Sequence, residues 1–360
     1  MPASAGPPPG RRALHTRACE LFGVRYPIVQ TGMGWVAGAR LTAATSAAGG
    51  LGIIASATMT CAELERAIRE VKARTDNPFG VNLRADQPDI DDRITLLIRE
   101  GVRVASFAQA PRRETIARLK DAGVVTMPTV GARRHAEKVA EWGVDAVIAQ
   151  GAEGGGHTGS VPTSLLLPQV VDAVDIPVLG AGGFTDGRGL VAALAWGADG
   201  IAMGTRFLLT RDSTVPELIK QIYLSKTVND TVVTRAIDGY PQRVIRTEVV
   251  DELERSSVLT RLPRAVRNAL AFRRLTRTSY RDLLREGLAM KRNQDLTWSQ
   301  LVMAANAPML IKATMVDGRP EVGILPTGQG IGVIEDLPSV AELIERIMGE
   351  ADRVLAALTD

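Results

Sequence analysis

The sequence predicts an α/β protein built as a closed (β/α)₈ TIM barrel, with a helical lid inserted after the eighth strand. Three observations predict this fold: eight short β-type runs recur up to residue 205, helix-like stretches separate them, and glycine loops follow the last two runs. Alternating strands and helices imply a parallel sheet, and eight such repeats close a barrel. An open, doubly wound sheet is the alternative, but its glycine loop would follow the first strand.

The predicted strands are short and apolar, and most begin about 22 to 28 residues after the preceding one, as in a compact β/α repeat. They cover residues 27–29, 52–54, 79–82, 102–105, 124–127, 146–149, 177–180 and 200–203. Between them, apolar residues recur at helical spacing in residues 61–74, 111–122, 132–142 and 187–196, and a glycine follows several of these stretches. The longest step, from Ala146 to Val178, contains a glycine-rich segment at the carboxyl end of the sixth strand, where such barrels keep their chemistry.

The chain divides into three predicted parts. Residues 1–18 are rich in proline and glycine and are predicted to form a disordered tail. Residues 19–210 and 327–360 are predicted to form the barrel, and residues 337–358 have the apolar spacing of a helix that closes it. Residues 211–326 are predicted to form a helical, basic lid or substrate domain.

Composition excludes several classes of protein. Of the 360 residues, 45% are hydrophobic and 23% are charged, which is typical of a globular chain with a large core. No apolar run approaches the roughly 20 residues of a membrane span, and the amino terminus lacks the apolar stretch of a secretory signal. Cys19 and Cys61 match no zinc or redox spacing. We therefore expect no metal, two unpaired thiols and a cytoplasmic location.

The net charge of +3 is unevenly distributed. Between Arg261 and Arg292 there are ten Lys or Arg residues and two acidic residues, so this basic segment carries +8 and the rest of the chain about −5. Arginine binds phosphates well, which suits the phosphate groups of coenzyme A. A solvated helix face or a membrane surface are the alternatives. The segment lacks interleaved aromatic residues, so nucleic acid is a poor candidate.

Glycine loops and polar strand ends predict a phosphate and a flat ring at the barrel mouth. Two loops after the seventh and eighth strands suit a phosphate, because their backbone N–H groups can surround it. The ends of the first, third and sixth strands suit the ring, through close backbone approach and side-chain amides. Each of the ring-facing residues, considered alone, is more simply explained as a turn residue at the end of a strand. The predicted residues are Gly182, Gly183, Ala202, Met203, Gly204 and Thr205 for the phosphate, and Gln30, Thr31, Gly32, Met33, Asn82 and Gln150 for the ring.

His157 is the candidate catalytic residue. It lies on the long loop after the sixth strand, where four glycines flank it, whereas His15 lies in the tail and His135 in a helical stretch beside two arginines. Imidazole titrates near neutral pH and can take a proton from an activated carbon. The alternative is a structural histidine.

These segments together resemble the nitronate monooxygenase family, formerly called the 2-nitropropane dioxygenases. The resemblance covers residues 20–210 and is carried by residues 30–34, 48–52, 80–83, 150–159, 181–184 and 203–207. It implies non-covalently bound FMN at the barrel mouth, adds Gly155 to the residues that contact it, and places the catalytic base at His157. The motifs do not specify the substrate, because flavin-dependent enoyl-thioester reductases share them.

Three departures point beyond simple nitronate oxidation. Arg84 follows the third strand and could anchor a substrate carbonyl or carboxylate, although a surface pair with Asp86 is equally consistent with the sequence. Trp35 could form an apolar wall or belong to the core. The basic segment is the third departure.

With residues 296–300 and 306–309, these features are similar to an actinobacterial branch of the family that is associated with steroid-ring degradation. This resemblance implies FMN-dependent dehydrogenation of a bicyclic hydrindane acyl-CoA, with His157 and Arg84 as catalytic residues and a CoA thioester as the substrate. The alternatives are a nitronate monooxygenase that uses O₂, an NAD(P)H-dependent enoyl-thioester reductase, and a barrel that has lost its activity. Nucleic-acid and membrane partners are not expected from this reading, and the sequence is consistent with either a monomer or a homodimer.

Overall fold

The computed structural model describes residues 14–255 and 306–359, and elements are numbered over these residues. Within them, eight parallel strands form a closed barrel, in which the first strand pairs with both the second and the last. The barrel strands are β1 (Ile28–Gln30), β2 (Leu51–Ala55), β3 (Phe79–Leu83), β4 (Val104–Phe107), β5 (Val125–Val130), β6 (Val147–Gln150), β8 (Val178–Ala181) and β9 (Gly200–Met203). Each overlaps one predicted strand, so the predicted fold class is confirmed.

Helices surround the barrel and follow the expected amphipathic pattern. They are α1 (Arg17–Phe22), α2 (Ala39–Ala47), α3 (Cys61–Lys72), α4 (Ile90–Arg99), α5 (Arg113–Asp121), α6 (Arg133–Glu141), α7 (Thr163–Val171), α8 (Gly187–Ala195), α9 (Thr205–Leu208), α10 (Glu217–Leu224), α11 (Glu248–Arg255), α12 (Asn306–Met315) and α13 (Val340–Thr359). Helix α3 shows why they form: a capping box between Thr60 and Glu63 satisfies its first turn. Its buried side chains include Leu64, Ile68 and Val71, which recur at helical spacing.

The last helix completes the barrel wall. Val340, Leu343 and Ile347 of α13 are buried, and α13 packs against α8 and α2. Gly187 permits this approach, because a Cβ at that position would lie 2.4 Å from the carbonyl oxygen of Ile347. The predicted C-terminal helix is therefore present and starts three residues later than predicted.

The predicted lid region contains strands that the helical prediction did not include. Strands β10 (Thr231–Thr234) and β11 (Gln242–Ile245) form an antiparallel hairpin, and β7 (Gly156–His157), in the loop after β6, pairs with β11. Short β-branched runs in residues 231–234 and 244–245 favour this conformation. The hairpin thus joins the region after β9 to the loop that carries His157.

The amino-terminal boundary also differs from the prediction. Leu14 and Ala18 are buried, and Phe22 of α1 packs with the barrel interior, so the packed chain starts before residue 19. The basic segment from Arg261 to Arg292 and residues 296–300 lie outside the described residues. Over the described ranges, no helix combines the length and apolar character needed to cross a membrane. The same ranges contain no group of three His, Cys, Asp or Glu side chains placed to bind a metal ion.

Candidate functional site

Strand periodicity decides which side chains face the barrel mouth. Val29, Ile148 and Ala202 belong to the apolar cluster inside the barrel. Side chains two residues further along a strand point to the same side, so Thr31 and Gln150 lie above this layer, at the carboxyl ends of the strands. In this fold those ends form one mouth, where the chemistry takes place.

Four backbone segments meet at one side of the mouth, and we call residues 154–155, 182–183, 204–205 and 328–330 the glycine cradle. A Cβ on Gly155 would lie 2.6 Å from the backbone nitrogen of Gly328, and one on Gly182 would lie 3.0 Å from that of Gly154. Gly182 and Gly183 have φ values of 101° and 83°, a conformation that favours glycine. Side chains are therefore kept out, and backbone groups can approach a ligand closely.

Thr205 connects two segments of the cradle. Its hydroxyl oxygen accepts a hydrogen bond of 2.9 Å from the backbone N–H of Gly328. A hydroxyl that accepts in this way still has its own proton to donate. Gly155 and Gly183 are exposed beside it, so the cradle offers backbone and hydroxyl donors to an anion such as a phosphate.

Sequence reasoning missed the fourth segment of the cradle. Residues 328–330 return to the barrel after the predicted lid, and the backbone N–H of Gln329 donates to the carbonyl of Glu153 over 2.9 Å. The signal was present in the sequence, since glycines alternate at 328, 330 and 332 just before the closing helix. A glycine at every second position is unusual for a loop that only connects two helices.

The predicted ring contacts lie at the mouth, as strand ends should. The side-chain amide of Asn82 donates to Ser106 Oγ over 3.2 Å, and that of Gln150 donates to the carbonyl of His157 over 2.7 Å. These bonds orient both amides and leave their carbonyl oxygens as acceptors. A Cβ on Gly32 would lie 2.4 Å from Asn82 Cβ, so only glycine lets the loop after β1 cover Asn82.

The side chains of two predicted ligand contacts, one for the ring and one for the phosphate, are used within the fold instead. Gln30 is fully buried, and its amide donates to the carbonyl of Ile53 over 3.1 Å. Met203 packs in the cluster between strands and helices, while its carbonyl accepts from the backbone N–H of Thr31 over 3.1 Å. At these two positions only the backbone is placed to contact a ligand at the mouth.

The remaining predicted residues lie beside the cradle or beneath it. Met33 and Thr31 flank Gly204, where a Cβ would lie 3.4 Å from the Met33 sulfur and 3.3 Å from Thr31 Oγ1. Ala202 is buried inside the barrel, directly under this point.

The long loop after β6 is held in place from two sides. The Glu153 carboxylate accepts from the backbone N–H and the hydroxyl of Thr163 at the start of α7, at 2.9 and 2.8 Å. Buried Arg243 of β11 donates twice to the carbonyl of Ala152, at 3.2 and 3.0 Å. This loop therefore has a defined conformation in spite of its glycines.

His157 faces a carboxylate that the sequence did not reveal. Its Nε2 lies 2.8 Å from Oδ2 of Asp238, which precedes β11. The side chain of His157 is 64% exposed, whereas that of Asp238 is only 5% exposed. Gln242, directly opposite His157 in the β7–β11 pair, also donates to Asp238 Oδ2. An accessible imidazole bonded to a buried carboxylate is suited to proton transfer.

Tyr240 lies near two acidic residues, Asp238 and Asp86. Its ring contacts the His157 ring edge-on, with centroids 5.9 Å apart. Burial, followed by the charges of Asp238 and Asp86, raises the pKa of the Tyr240 hydroxyl. The hydroxyl therefore stays protonated at neutral pH and can donate a hydrogen bond.

Arg84 forms the pair with Asp86 that the sequence allowed. Its Nε and Nη2 lie 3.0 and 2.7 Å from the two carboxylate oxygens of Asp86, so the interaction is bidentate. The Arg84 side chain is 36% exposed. The pair thus holds the guanidinium in one orientation at the end of β3 without burying it.

Trp35 links the loop after β1 to the chain that follows the predicted lid. Its indole N–H donates to the carbonyl of Pro308 in α12 over 2.9 Å. Its backbone φ angle is 66°, and no other described residue except glycines has a positive φ. Such backbone strain is typical of functional sites and persists when the surroundings enforce it.

The hydrogen-bonding groups of the mouth match those that a phosphorylated flavin needs. The glycine cradle offers backbone N–H groups and the Thr205 hydroxyl to a terminal phosphate. The oriented amides of Asn82 and Gln150 match the polar edge of an isoalloxazine ring. Gln150 lies next to the cradle, since a Cβ on Gly154 would lie 2.8 Å from its Nε2. His157 is exposed at the same mouth.

Comparisons with known proteins agree with this geometry. The sequence model of a family described as nitronate monooxygenase matches residues 15–350. The (3aS,4S,5R,7aS)-5-hydroxy-7a-methyl-1-oxo-octahydro-1H-indene-4-carboxyl-CoA dehydrogenase of Mycobacterium tuberculosis is 60% identical over 341 residues, covering 94% of this chain and 96% of that protein. The dehydrogenase of the same name from Rhodococcus jostii is 58% identical, with 96% and 98% covered. The structure of FabK from Thermotoga maritima superposes with a TM-score of 0.78 at 34% identity, with 96% and 98% covered.

The glycine cradle makes a specific prediction about cofactor retention. In Gly155→Ala, the new Cβ would lie 2.5 Å from the carbonyl carbon of Thr327, so the two backbone segments must separate and the phosphate site must open. We expect the affinity for a phosphorylated flavin to fall by about tenfold or more, as the loss of one or two charge-assisted hydrogen bonds implies. The ratio of flavin to protein absorbance after dialysis measures this change. Gly159→Ala is the matched control, because its nearest neighbour would be 3.8 Å away; equal flavin loss in both variants would contradict the assignment.

Proposed function

The chain belongs to the nitronate monooxygenase family of flavin-dependent oxidoreductases, and we propose that it uses FMN to dehydrogenate the CoA thioester of a bicyclic hydrindane carboxylic acid. The family resemblance drawn from the glycine motifs is confirmed by the match over residues 15–350. The observation that carries the proposed substrate is the identity of 58–60% to the two hydrindane dehydrogenases, which extends over 94–96% of this chain. The matched length includes the insertion after β9, residues 211–326, as well as the barrel. This insertion contributes Asp238 and Tyr240 to the mouth.

The reaction removes two hydrogens from adjacent carbons. A thioester carbonyl acidifies the carbon next to it, so one hydrogen leaves that α-carbon as a proton. The other leaves the β-carbon as a hydride, and the two electrons of the broken α C–H bond form the new double bond. A bound flavin supplies the two-electron acceptor for the hydride.

His157 is the residue proposed to take the proton. Its ring is exposed at the mouth and bonded on one side to buried Asp238, so it can meet a substrate lying over the ring-binding side. Tyr240, whose hydroxyl stays protonated, is placed next to it. The glycine cradle and the amides of Asn82 and Gln150 hold the cofactor while proton and hydride leave opposite ends of one carbon–carbon bond.

FMN is the proposed form of the flavin because the donors of the cradle are suited to a terminal phosphate. Its segments lie close to one another, and Gly155 and Gly183 are exposed to solvent. A phosphate monoester has three oxygens to match such donors.

Two cationic features are proposed to hold the substrate. Arg84, oriented by Asp86, is placed to bond a carbonyl or carboxylate of the acyl group. The basic segment between Arg261 and Arg292, part of the proposed lid of residues 211–326, is suited to the diphosphate and 3′-phosphate of CoA. The cytoplasmic location stays part of the proposal, since Cys19 and Cys61 form no disulfide.

The substrate is tested by flavin reduction in the absence of oxygen. We expect a hydrindane carboxyl-CoA thioester to bleach the flavin absorbance rapidly, because it supplies both the acidic α-hydrogen and the β-hydride. Stopped-flow absorbance under anaerobic conditions measures the rate, with an alkyl nitronate and NAD(P)H in parallel. Rapid bleaching by the nitronate alone would restore the activity for which the family is named, and bleaching by NAD(P)H would indicate an enoyl-thioester reductase.

Substitution of the proposed base should separate chemistry from binding. We expect His157→Ala to retain FMN and to slow flavin reduction by the thioester about 10²- to 10⁴-fold, the usual contribution of general acid–base catalysis. Single-turnover rates and flavin content measure the two effects. His135→Ala on α6 is the control and should match the wild type. Loss of FMN from His157→Ala would instead make His157 a binding residue.

The cationic features should contribute to binding rather than to chemistry. We expect an N-acetylcysteamine thioester, which lacks the CoA phosphates, to have a higher KM than the CoA thioester, and added salt to raise KM for the CoA thioester alone. Arg84→Ala should raise KM for both thioesters by about tenfold, the loss of one hydrogen bond to a charged group. Arg113→Ala, an exposed arginine paired with Glu141, is its control. An unchanged KM for both thioesters in Arg84→Ala would leave Arg84 a structural partner of Asp86.

A further inference from the structure

We propose that Asp238 is the positioning residue of the catalytic base: it selects the tautomer of His157 in which Nδ1 carries the lone pair that takes the substrate proton. This inference rests on the proposed role of His157 and deepens it, because it assigns the reacting atom. It also assigns to the insertion, rather than to the barrel, the residue that makes the imidazole a base.

Two N–H donors and one imidazole nitrogen surround the carboxylate of Asp238. The backbone N–H of Tyr240 donates to Oδ1 over 3.1 Å. The side-chain amide of Gln242 donates to Oδ2, which also lies 2.8 Å from His157 Nε2. An ionised carboxylate only accepts, and Asp238 is buried, so its oxygens are satisfied by these donors rather than by bulk water.

This environment decides where the imidazole proton lies. If Nε2 carried a lone pair, that pair would face an anionic oxygen 2.8 Å away, which is unfavourable. With the proton on Nε2, the ring donates to the carboxylate, and Nδ1 holds the lone pair of the neutral imidazole. Gln242 Nε2 and His157 Nε2 lie 3.2 Å apart, and in this tautomer both nitrogens donate to the same oxygen.

The antiparallel pairing holds these groups in register. His157 lies opposite Gln242 in the β7–β11 ladder, and the backbone N–H of Thr158 donates to the carbonyl of Pro241 over 3.1 Å. The imidazole is therefore held at both its ring nitrogen and its backbone, although most of its side chain is open to the mouth. Gln150 adds a third restraint by donating to the His157 carbonyl.

Asp238→Asn tests the assignment without a change of shape. The asparagine has one oxygen and one NH₂ group. The oxygen must face the Tyr240 backbone N–H, because a backbone donor cannot adapt, and the NH₂ group then faces Gln242 and His157. His157 can respond by offering a lone pair at Nε2, which moves its proton to Nδ1 and removes the base from the reacting position.

Two readouts follow the tautomer and the chemistry separately. The ¹⁵N chemical shifts of histidine-labelled protein distinguish the tautomers at alkaline pH, where imidazole is neutral. The chain has three histidines, so the His157 signals are those missing from His157→Ala. We expect the Nε2–H tautomer in the wild type and the Nδ1–H tautomer in Asp238→Asn. We also expect kcat for flavin reduction to fall by about 10³-fold or more, the scale of a wrong-tautomer base, with KM and flavin content unchanged.

The control is Asp251→Asn on α11, a carboxylate of the same region that pairs with Arg246 at the surface. It should leave both the tautomer and kcat unchanged. A wild-type protein with the Nδ1–H tautomer would overturn the proposal, and this measurement stands even where Asp238→Asn fails to fold. An unchanged tautomer in folded Asp238→Asn would overturn it as well. Because the spectra need no substrate, a thioester that fails to reduce the wild-type flavin would refute the proposed function alone.

Discussion

The close approach of Gly155 to Thr327 and Gly328 is the constraint on which the site depends. Two backbone segments that are far apart in sequence lie so near each other that a Cβ would overlap the carbonyl carbon of Thr327. The contact places Gly328 against Thr205 and the backbone of Gln329 against Glu153. Because the same loop continues to His157, one glycine contact sets both the proposed phosphate cradle and the position of the proposed base.

The region between β9 and α13 therefore contributes residues to the mouth, in addition to its proposed role as a lid. Strand β11 pairs with the loop after β6, Arg243 anchors that loop through the Ala152 carbonyl, and Asp238 lies against the imidazole. Trp35 makes a second connection, from the loop after β1 to Pro308. Loops at the carboxyl ends of barrel strands vary between enzymes while the barrel is kept. In this protein the loop after β6 is hydrogen-bonded to the β10–β11 hairpin.

Strand parity explains which predicted contacts use their side chains. Thr31 and Gln150 stand two residues above the apolar interior layer, whereas Gln30 and Met203 are one residue out of phase with it. Thr31 and Gln150 face the mouth. The side chain of Met203 packs between the strands and the helices, and that of Gln30 bonds to the backbone of the neighbouring strand. A motif match alone assigns all four residues to the ligand, but the two-residue period of a strand allows side-chain contact from only one parity.

The sequence by itself determined the barrel, most of its strands and helices, the glycine loops after β8 and β9, and the candidate base His157. Apolar periodicity and glycine placement are local properties, so they can be read from neighbouring residues. Only the tertiary structure brought Asp238 to His157 across 81 residues, and Gly328 to Thr205 across 123. Nothing in the local pattern of residues 236–242 marks Asp238 as a partner of His157, because its burial and its hydrogen bonds arise only when β11 pairs with β7. Whether Arg84 pairs with Asp86 was likewise open in the sequence, and the folded loop after β3 brings the two charges together.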